Sequence, residues 1–287
     1  MQIAVLLTCF NRKEKTLKCL SHLFNQDNFV DVYLVDDGST DGTSTAILTK
    51  FSQVNIINGS GDLYWNNGMR LAWQTASAVK DYDFYIWLND DTMLDDNAFK
   101  ALFNTYNQVI KKDRNPGIIT GACRSNNENN EFSYGGHTLK GAVIPNGGLQ
   151  ECRYINGNVV LIPQLIFKEI GNLSKEFTHA HGDFEYGIRA INAGFKCYTT
   201  REYIATCPRN EGVADWCNPE IPLNKRISLI NSPLGFNVKE YSKYIKRDRG
   251  IYHSLLIYVK IYFRALFPRL YLKVKKDSTD NVSLKKS

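Results

Sequence analysis

At 287 residues, with 43% hydrophobic and 22% charged residues, the chain can bury one large core or two, and its composition excludes a disordered or fibrous protein. A net charge of +6 suits an anionic substrate or surface, but no basic and aromatic residues interleave, which speaks against nucleic acid. Seven scattered cysteines, none in a C-x-x-C pair, speak against a disulfide framework or structural zinc site and point to a reducing cytosol.

Leu6-Leu7-Thr8-Cys9 is not read as a secretory signal, because no positive charge precedes it and the apolar run is short. No apolar segment approaches the roughly 20 residues needed to span a bilayer.

Ile3 to Thr8 is an apolar run and predicts a first buried strand, followed by a turn at Cys9-Phe10-Asn11-Arg12. Thr16, Leu17, Cys19, Leu20, Leu23 and Phe24 recur at helical spacing. Val30 to Val35 predicts a second strand ending in Asp36-Asp37-Gly38-Ser39-Thr40-Asp41-Gly42, Thr43 to Phe51 a helix, and Val54 to Ile57 a short third strand. Strands alternating with helices predict a parallel sheet with right-handed crossovers.

Tyr85-Ile86-Trp87-Leu88 predicts a fourth strand, running straight into Asn89-Asp90-Asp91. In a parallel sheet the polar residues after each strand converge on one edge, where open α/β sheets bind ligands. Two adjacent carboxylates there need a counter-charge. A divalent cation shared with a nucleotide's phosphates would supply it, and a helix cap with a turn satisfies the same pattern. The Asp36–Gly42 segment lacks G-x-G-x-x-G and a G-K-[ST] ending, so it is neither common phosphate loop.

Val5-Leu6-Leu7-Thr8-Cys9-Phe10-Asn11-Arg12, Val35-Asp36-Asp37-Gly38-Ser39-Thr40-Asp41-Gly42 and Leu88-Asn89-Asp90-Asp91-Thr92 together resemble the opening motifs of family-2 glycosyltransferases, enzymes of GT-A fold that use nucleotide sugars. Between them, Gly61 to Arg70 looks like the family's Gly- and Asn-rich segment. The resemblance implies that Thr8, Arg12, one of Asp36 or Asp37, Asn67, Gly68 and Asp90 hold the nucleotide or sugar. Asn89-Asp90-Asp91 falls in the family's D-x-D slot. That makes Asp91 the direct ligand of a divalent Mn²⁺ or Mg²⁺ ion, which would neutralise the leaving diphosphate.

Asn97 to Ile110 predicts a helix and Ile118 to Ala122 a strand. Phe132 to Leu149 is glycine-rich and reads as irregular strands and turns near the site, or as a plain surface loop. Tyr154 to Pro163 resembles the family's acceptor-side strand, followed by a short helix Leu165 to Ile170 closed by Gly171. Asp183 and Glu185 precede the helical Ile188-Arg189-Ala190-Ile191. Acids at a helix start suit the dipole. They also supply the carboxylate that takes a proton from an attacking hydroxyl.

By resemblance a Glu-Asp pair sits before this helix, with an Arg six residues on, and its Asp is the base. Here the Asp falls on Asp183 and the Glu on Gly182, so Glu185 remains a rival. Tyr198 to Thr206 predicts the last strand. The family's metal-binding His has no counterpart near it; Cys207 stands there instead, and Arg209 is either a phosphate contact or a surface cation.

After Trp216 the composition shifts. Leu223 to Ile230 and Val238 to Ile245 look helical, with a basic cluster at Lys243, Lys246, Arg247 and Arg249. Leu255 to Tyr271 is apolar and aromatic but broken by Lys260, Arg264, Pro268 and Arg269. This suits a membrane interface meeting anionic lipid, or a helix packed on the rest of the chain or on a second subunit. Lys275 to Ser287 reads as disordered.

The expected architecture is thus an α/β GT-A domain over 1–210, with a nucleotide-sugar half (1–95) and an acceptor half (96–210). A helical basic extension (211–275) and a tail (276–287) follow. The implied activity is inverting, metal-dependent transfer of a hexosyl or deoxyhexosyl group from a nucleotide sugar. The acceptor is a glycan or lipid-linked glycan in bacterial surface polysaccharide (O-antigen or capsule) synthesis, at the cytoplasmic face of the inner membrane. The rivals are a sugar nucleotidyltransferase and a membrane-associated nucleotide-sugar- or glycan-binding protein without turnover.

Overall fold

A computed structural model describes residues 1–26, 29–126, 130–209 and 213–274. The chain divides into two compact units, Met1–Arg209 and the remainder from Asn210.

In the first unit the elements follow in order: β1 (Ile3–Cys9), α1 (Lys13–Phe24), β2 (Asp31–Asp36), α2 (Thr43–Lys50), β3 (Asn55–Asn58), α3 (Tyr64–Val79), β4 (Phe84–Leu88), β5 (Met93–Leu94) and α4 (Ala98–Asp113). Then come β6 (Gly117–Arg124), β7 (Phe132–Tyr134), β8 (His137–Thr138), β9 (Gly141–Ala142), β10 (Gln150–Cys152), β11 (Val159–Pro163), α5 (Gln164–Ile170), α6 (Gly182–Asn192) and β12 (Lys196–Thr206).

Among the described residues the main sheet runs β10-β12-β6-β11-β4-β1-β2-β3, with β5 pairing β12 and β7 pairing β6. β1 pairs parallel with β2 and β4, β2 with β3, and β12 with β6. β11 is antiparallel to both of its neighbours, β4 and β6. The sheet is therefore mostly parallel with one reversed central strand, and helices cover both faces, as in GT-A enzymes.

The strands are apolar on both faces because both are covered. Along β1, Ile3, Val5 and Leu7 enter one core cluster with Leu20 of α1 and Leu102 of α4. Ala4 and Leu6 enter the other, with Trp73 of α3 and Tyr186 of α6. Each fully buried Ile, Val or Leu side chain among them contributes about 1.5–3 kcal/mol. In the second cluster Trp73 packs against Phe167 at 4.8 Å, Trp87 at 5.5 Å and Tyr186 at 5.4 Å between ring centroids.

α3 begins inside the Gly- and Asn-rich segment, to which the sequence assigned no element. Asn66, Asn67 and Gly68 are weak helix formers, yet Met69, Ala72, Trp73 and Ala76 bury one face at helical spacing, and that packing outweighs local propensity. Gly68 also permits close approach, since a Cβ there would lie 2.3 Å from Thr8 Oγ1. The glycine-rich stretch 132–149 forms the short strands β7, β8 and β9.

The second unit comprises a 3₁₀ turn (Asp215–Cys217), α7 (Leu223–Leu229), α8 (Val238–Arg249) and α9 (Ile251–Leu266). Ile230, Val238, Ile261 and Ala265 form its core, with Trp216, Ile227 and Phe236 against them. Gly250, at φ +87°, ends α8 and starts α9, a conformation that glycine adopts without strain. No helix among the described residues is long and apolar enough to cross a membrane. The reading of residues 276–287 as a disordered tail lies outside the described residues.

Candidate active site

The reversed β11 decides what meets at the sheet edge. β1, β2 and β4 deliver Cys9, Asp36 and Leu88 to one edge. β6 and β12 run the same way and bring Thr206 and Cys207 there. β11 starts from that edge, so the loop before it faces the end of β4, with Asn89 N–H donating to Asn158 C=O at 3.0 Å.

Two loops on the β1–β2 side are stitched together. Asn11 N–H donates to Ser39 Oγ (2.9 Å), Thr40 N–H to Asn11 Oδ1 (2.8 Å) and Lys13 N–H to Asp41 Oδ2 (3.1 Å). Asp36 accepts from Ser39 N–H (2.9 Å) and from the Ser44 hydroxyl. Asp37 accepts three backbone donors, Gly61 N–H (2.8 Å), Leu63 N–H (2.9 Å) and Tyr64 N–H (3.0 Å). These bonds shape the entry to α3 and hold Tyr64 at φ +55°, a conformation costly for a bulky residue. Much of the acceptor capacity of both carboxylates thus goes to the protein's own loops.

Thr8 sits at the end of β1, partly exposed, against Gly68; Asn67 lies partly buried in the first turn of α3. Arg12 Nη1 bridges the two acids beyond β4, 3.1 Å from Asp90 Oδ1 and 2.9 Å from Asp91 Oδ2. Arg12 therefore supplies the counter-charge that the sequence demanded. Asp90 is buried and also accepts from Thr16 Oγ1 at 3.3 Å. Burial pushes its carboxyl up to about 6, against the pull of Arg12. Asp91 is more open, its side chain 28% exposed.

Among the described residues no three His, Cys, Asp or Glu side chains cluster to hold a metal ion. The residues present still fit one. Mg²⁺-type sites often use one or two carboxylates and take the remaining oxygens from water and substrate phosphates, and Asp91 offers such a carboxylate. The Cys207 thiol stands 3.8 Å from Asp91 Oδ1, where the family's His was missing, and Asn158 Nδ2 donates to its sulfur at 3.1 Å. Burial and then Asp91 push the Cys207 thiol up to about 12, so it is neutral at pH 7.

The two acids of α6 part company. Glu185 is 2% exposed and ion-pairs with Arg189 Nε at 3.3 Å. Arg189 in turn donates to Asn172 C=O at 2.9 Å and to Ile170 C=O, which ties α6 to the end of α5. Asp183, in the first turn, stays partly open to solvent. Its Oδ2 accepts from Gly157 N–H at 2.9 Å and its Oδ1 from Phe184 N–H at 2.8 Å. Enclosure by protein outweighs those two donors and pushes its carboxyl up to about 6. A carboxylate so tuned suits proton abstraction near neutral pH.

A residue that the sequence reading passed over joins the two sides. Trp65 Nε1 donates to Asn89 Oδ1 at 2.7 Å. Its ring lies on Gly157, where a Cβ would come within 2.4 Å of Cζ2. Trp65 thus links the strand end carrying Asp90 and Asp91 to the loop holding Asp183. It stands inside the Gly61–Arg70 motif, and its pairing with Asn89, 24 residues on, is made only by the fold.

The geometry defines an α/β enzyme with a GT-A fold and a carboxylate-rich edge. Residues 4–142, just under half of the chain, match the family described as Glycosyl transferase family 2. No curated protein matches significantly. Among solved structures, the chain is similar to mannosyltransferase PcManGT from Pyrobaculum calidifontis, in complex with GDP-Man and Mn²⁺. The TM-score is 0.59 at 14% identity, covering 96% of this chain and 75% of that one. It is also similar to S. aureus TarS 1–349 in complex with UDP-GlcNAc, with TM-score 0.53, 13% identity and coverage of 86% and 72%. Against another S. aureus TarS structure the chain spans 43% of the length. The matched region and the fold support a glycosyltransferase enzyme.

Proposed function

We propose that the chain transfers a sugar from a nucleotide-sugar donor to a glycan or lipid-linked glycan acceptor, with inversion, in bacterial surface-polysaccharide synthesis. The observation that carries the reading is Asp183: a partly open carboxylate, raised to about 6, joined through Gly157 and Trp65 to the Asp90–Asp91 strand end.

In this mechanism Asp183 takes the proton of the acceptor hydroxyl as that oxygen attacks the anomeric carbon and the nucleoside diphosphate leaves. Gly157 N–H and Phe184 N–H fix the carboxylate's orientation. Arg12, Thr8 and the loops after β1 and β2 surround the nucleotide, and Asn67 and Gly68 lie at the α3 entry beside them. Asp91 would hold a divalent Mn²⁺ or Mg²⁺ ion, which when bound neutralises charge growing on the diphosphate. The likeness to proteins solved with GDP-Man and Mn²⁺, and with UDP-GlcNAc, supports a nucleotide-sugar donor.

The test is a panel of nucleotide sugars, with and without Mn²⁺ or Mg²⁺, assayed for free nucleoside diphosphate beside Asp91→Ala and Asp183→Asn. Metal-dependent release from one donor, lost in both variants, is expected. Tight donor binding without release, with lipid-linked acceptors supplied, would make the chain a binding protein.

A further inference from the structure

The helical unit contains a cavity of about 430 Å³ lined by Arg226, Arg269, Pro219, Leu266, Phe267 and Leu270. Arg226, on α7, is 8% exposed, and its Nε and Nη1 are buried without a hydrogen-bond partner. Its backbone is satisfied, since its N–H donates to Pro222 C=O and its C=O accepts from Ile230 N–H, both at 3.0 Å. Glu220, next to Pro219, is exposed, and among the described residues no ion pair joins it to Arg226.

A guanidinium taken out of water with two donors unused is costly, and an anion held in the cavity beside Arg226 offsets that cost. The planar fork of Arg matches the oxygens of a phosphate, and Arg269 adds a second positive charge at the wall. The remaining walls are apolar, so the occupant carries hydrocarbon beside its anion.

The surface leading to the cavity has the same character. Along α9, Ile251, Leu255, Val259 and Phe263 recur every fourth residue and are exposed, and Leu266 continues the row to the cavity wall. The unit's own core uses other residues of α9, Ile261 and Ala265, with Ile257, Tyr258 and Tyr262 against them, so the exposed row takes no part in it. Residues 213–274 hold eleven Lys or Arg and four Asp or Glu, a net +7. A second copy would bring the same charge against it, whereas an anionic lipid surface complements it.

We propose that the Arg226 cavity binds the phosphate headgroup of an anionic lipid, with the exposed row of α9 lying in the membrane interface. The proposal goes beyond sugar transfer and does not depend on it.

The full chain is titrated calorimetrically with dihexanoyl phosphatidic acid, with sodium phosphate, and with octyl glucoside as an uncharged amphiphile. Phosphatidylcholine vesicles with and without phosphatidylglycerol are used for flotation. The short-chain lipid binds the wild type and binds Arg226→Gln roughly 10- to 100-fold more weakly, the range expected for charge-assisted hydrogen bonds. Lys239→Gln, at an exposed cation on α8, leaves that affinity unchanged. Phosphatidylglycerol promotes flotation of the wild type but not of Leu255→Ser/Phe263→Ser.

Without lipid, Arg226→Gln melts at or above the wild-type temperature, because it discards an unpaired buried charge; a clear drop would make Arg226 structural and overturn the proposal. So would undiminished lipid binding by Arg226→Gln, or sodium phosphate binding as tightly as the lipid. Dimers on gel filtration that vanish in Leu255→Ser/Phe263→Ser, with no phosphatidylglycerol dependence, would assign the α9 row to a second copy.

Discussion

Gly182 and Asn66 compete for one volume: a Cβ on Gly182 would lie 1.8 Å from Asn66 Oδ1. Asn66 is fully buried and its Nδ2 donates to Ser174 C=O (2.9 Å) and Phe177 C=O (2.6 Å), pinning the segment that leads to Asp183. A side chain at position 182, where the resemblance would put a Glu, has no room, because the amide of Asn66 fills that space.

Gly182→Ala is therefore expected to destabilise by about 1–3 kcal/mol, the usual cost of overpacking a filled site. Urea unfolding of Gly182→Ala, Asn66→Ala and the double variant checks it. The double variant should be more stable than the sum of the singles predicts, by more than ~0.5 kcal/mol. Strict additivity would show that the two residues do not share space.

For Asp183, the raised carboxyl gives a pH profile with a defined sign. A base must be unprotonated, so kcat/KM should climb as pH rises through about 6, then level off, and fall about tenfold per unit below it. The native state also holds a proton that the unfolded chain has lost between 3.8 and about 6, so this group's contribution to stability declines as pH rises through that window. Asp183→Asn should gain thermal stability relative to wild type at pH 8 and lose that advantage at pH 4. A flat activity profile between pH 5 and 8 would remove Asp183 as the base.

Glu185→Gln is expected to act on stability more than on chemistry. It breaks the buried pair with Arg189, which should cost about 1–3 kcal/mol, while activity per folded molecule falls far less than in Asp183→Asn. Denaturant melts beside steady-state rates separate the two effects.

Arg12 holds oxygens of both Asp90 and Asp91, so a divalent cation on Asp91, as proposed above, would compete with it. Arg12→Gln should tighten Mn²⁺ binding in the absence of nucleotide by roughly tenfold, because a competing positive charge is gone. The same change should weaken nucleotide binding. Asp91→Ala should lose Mn²⁺ altogether. Calorimetric titration of protein stripped with EDTA reads all three.

Much of this was legible in the residues. Apolar runs ending in polar turns gave β1, β2 and β4 within a residue or two, and their common direction foretold the shared edge. Gly171, at φ +72°, closes α5 where its composition suggested. Other features depend on contacts made across the chain. α3 hides behind Asn66-Asn67-Gly68, whose local preference opposes a helix. The direction of β11 is invisible in its apolar pattern, since both orientations bury the same residues. Whether Asp183 or Glu185 stays open depended on which side of α6 faces the core; Glu185 shares that side with Arg189, four residues on, and two positions of separation put Asp183 on another.

The reversed strand also separates what can vary from what cannot. Since β11 starts beside the end of β4, the rung between Asn89 and Asn158 and the bond from Asn158 Nδ2 to Thr92 Oγ1 tie the loop before β11 to the end of β4. The chain between β6 and β11 can then lengthen or change sequence at its tips while the spacing of Asp91 and Asp183 stays fixed. Residues 132–152 can be rewritten without disturbing that tie between the end of β4 and the start of β11.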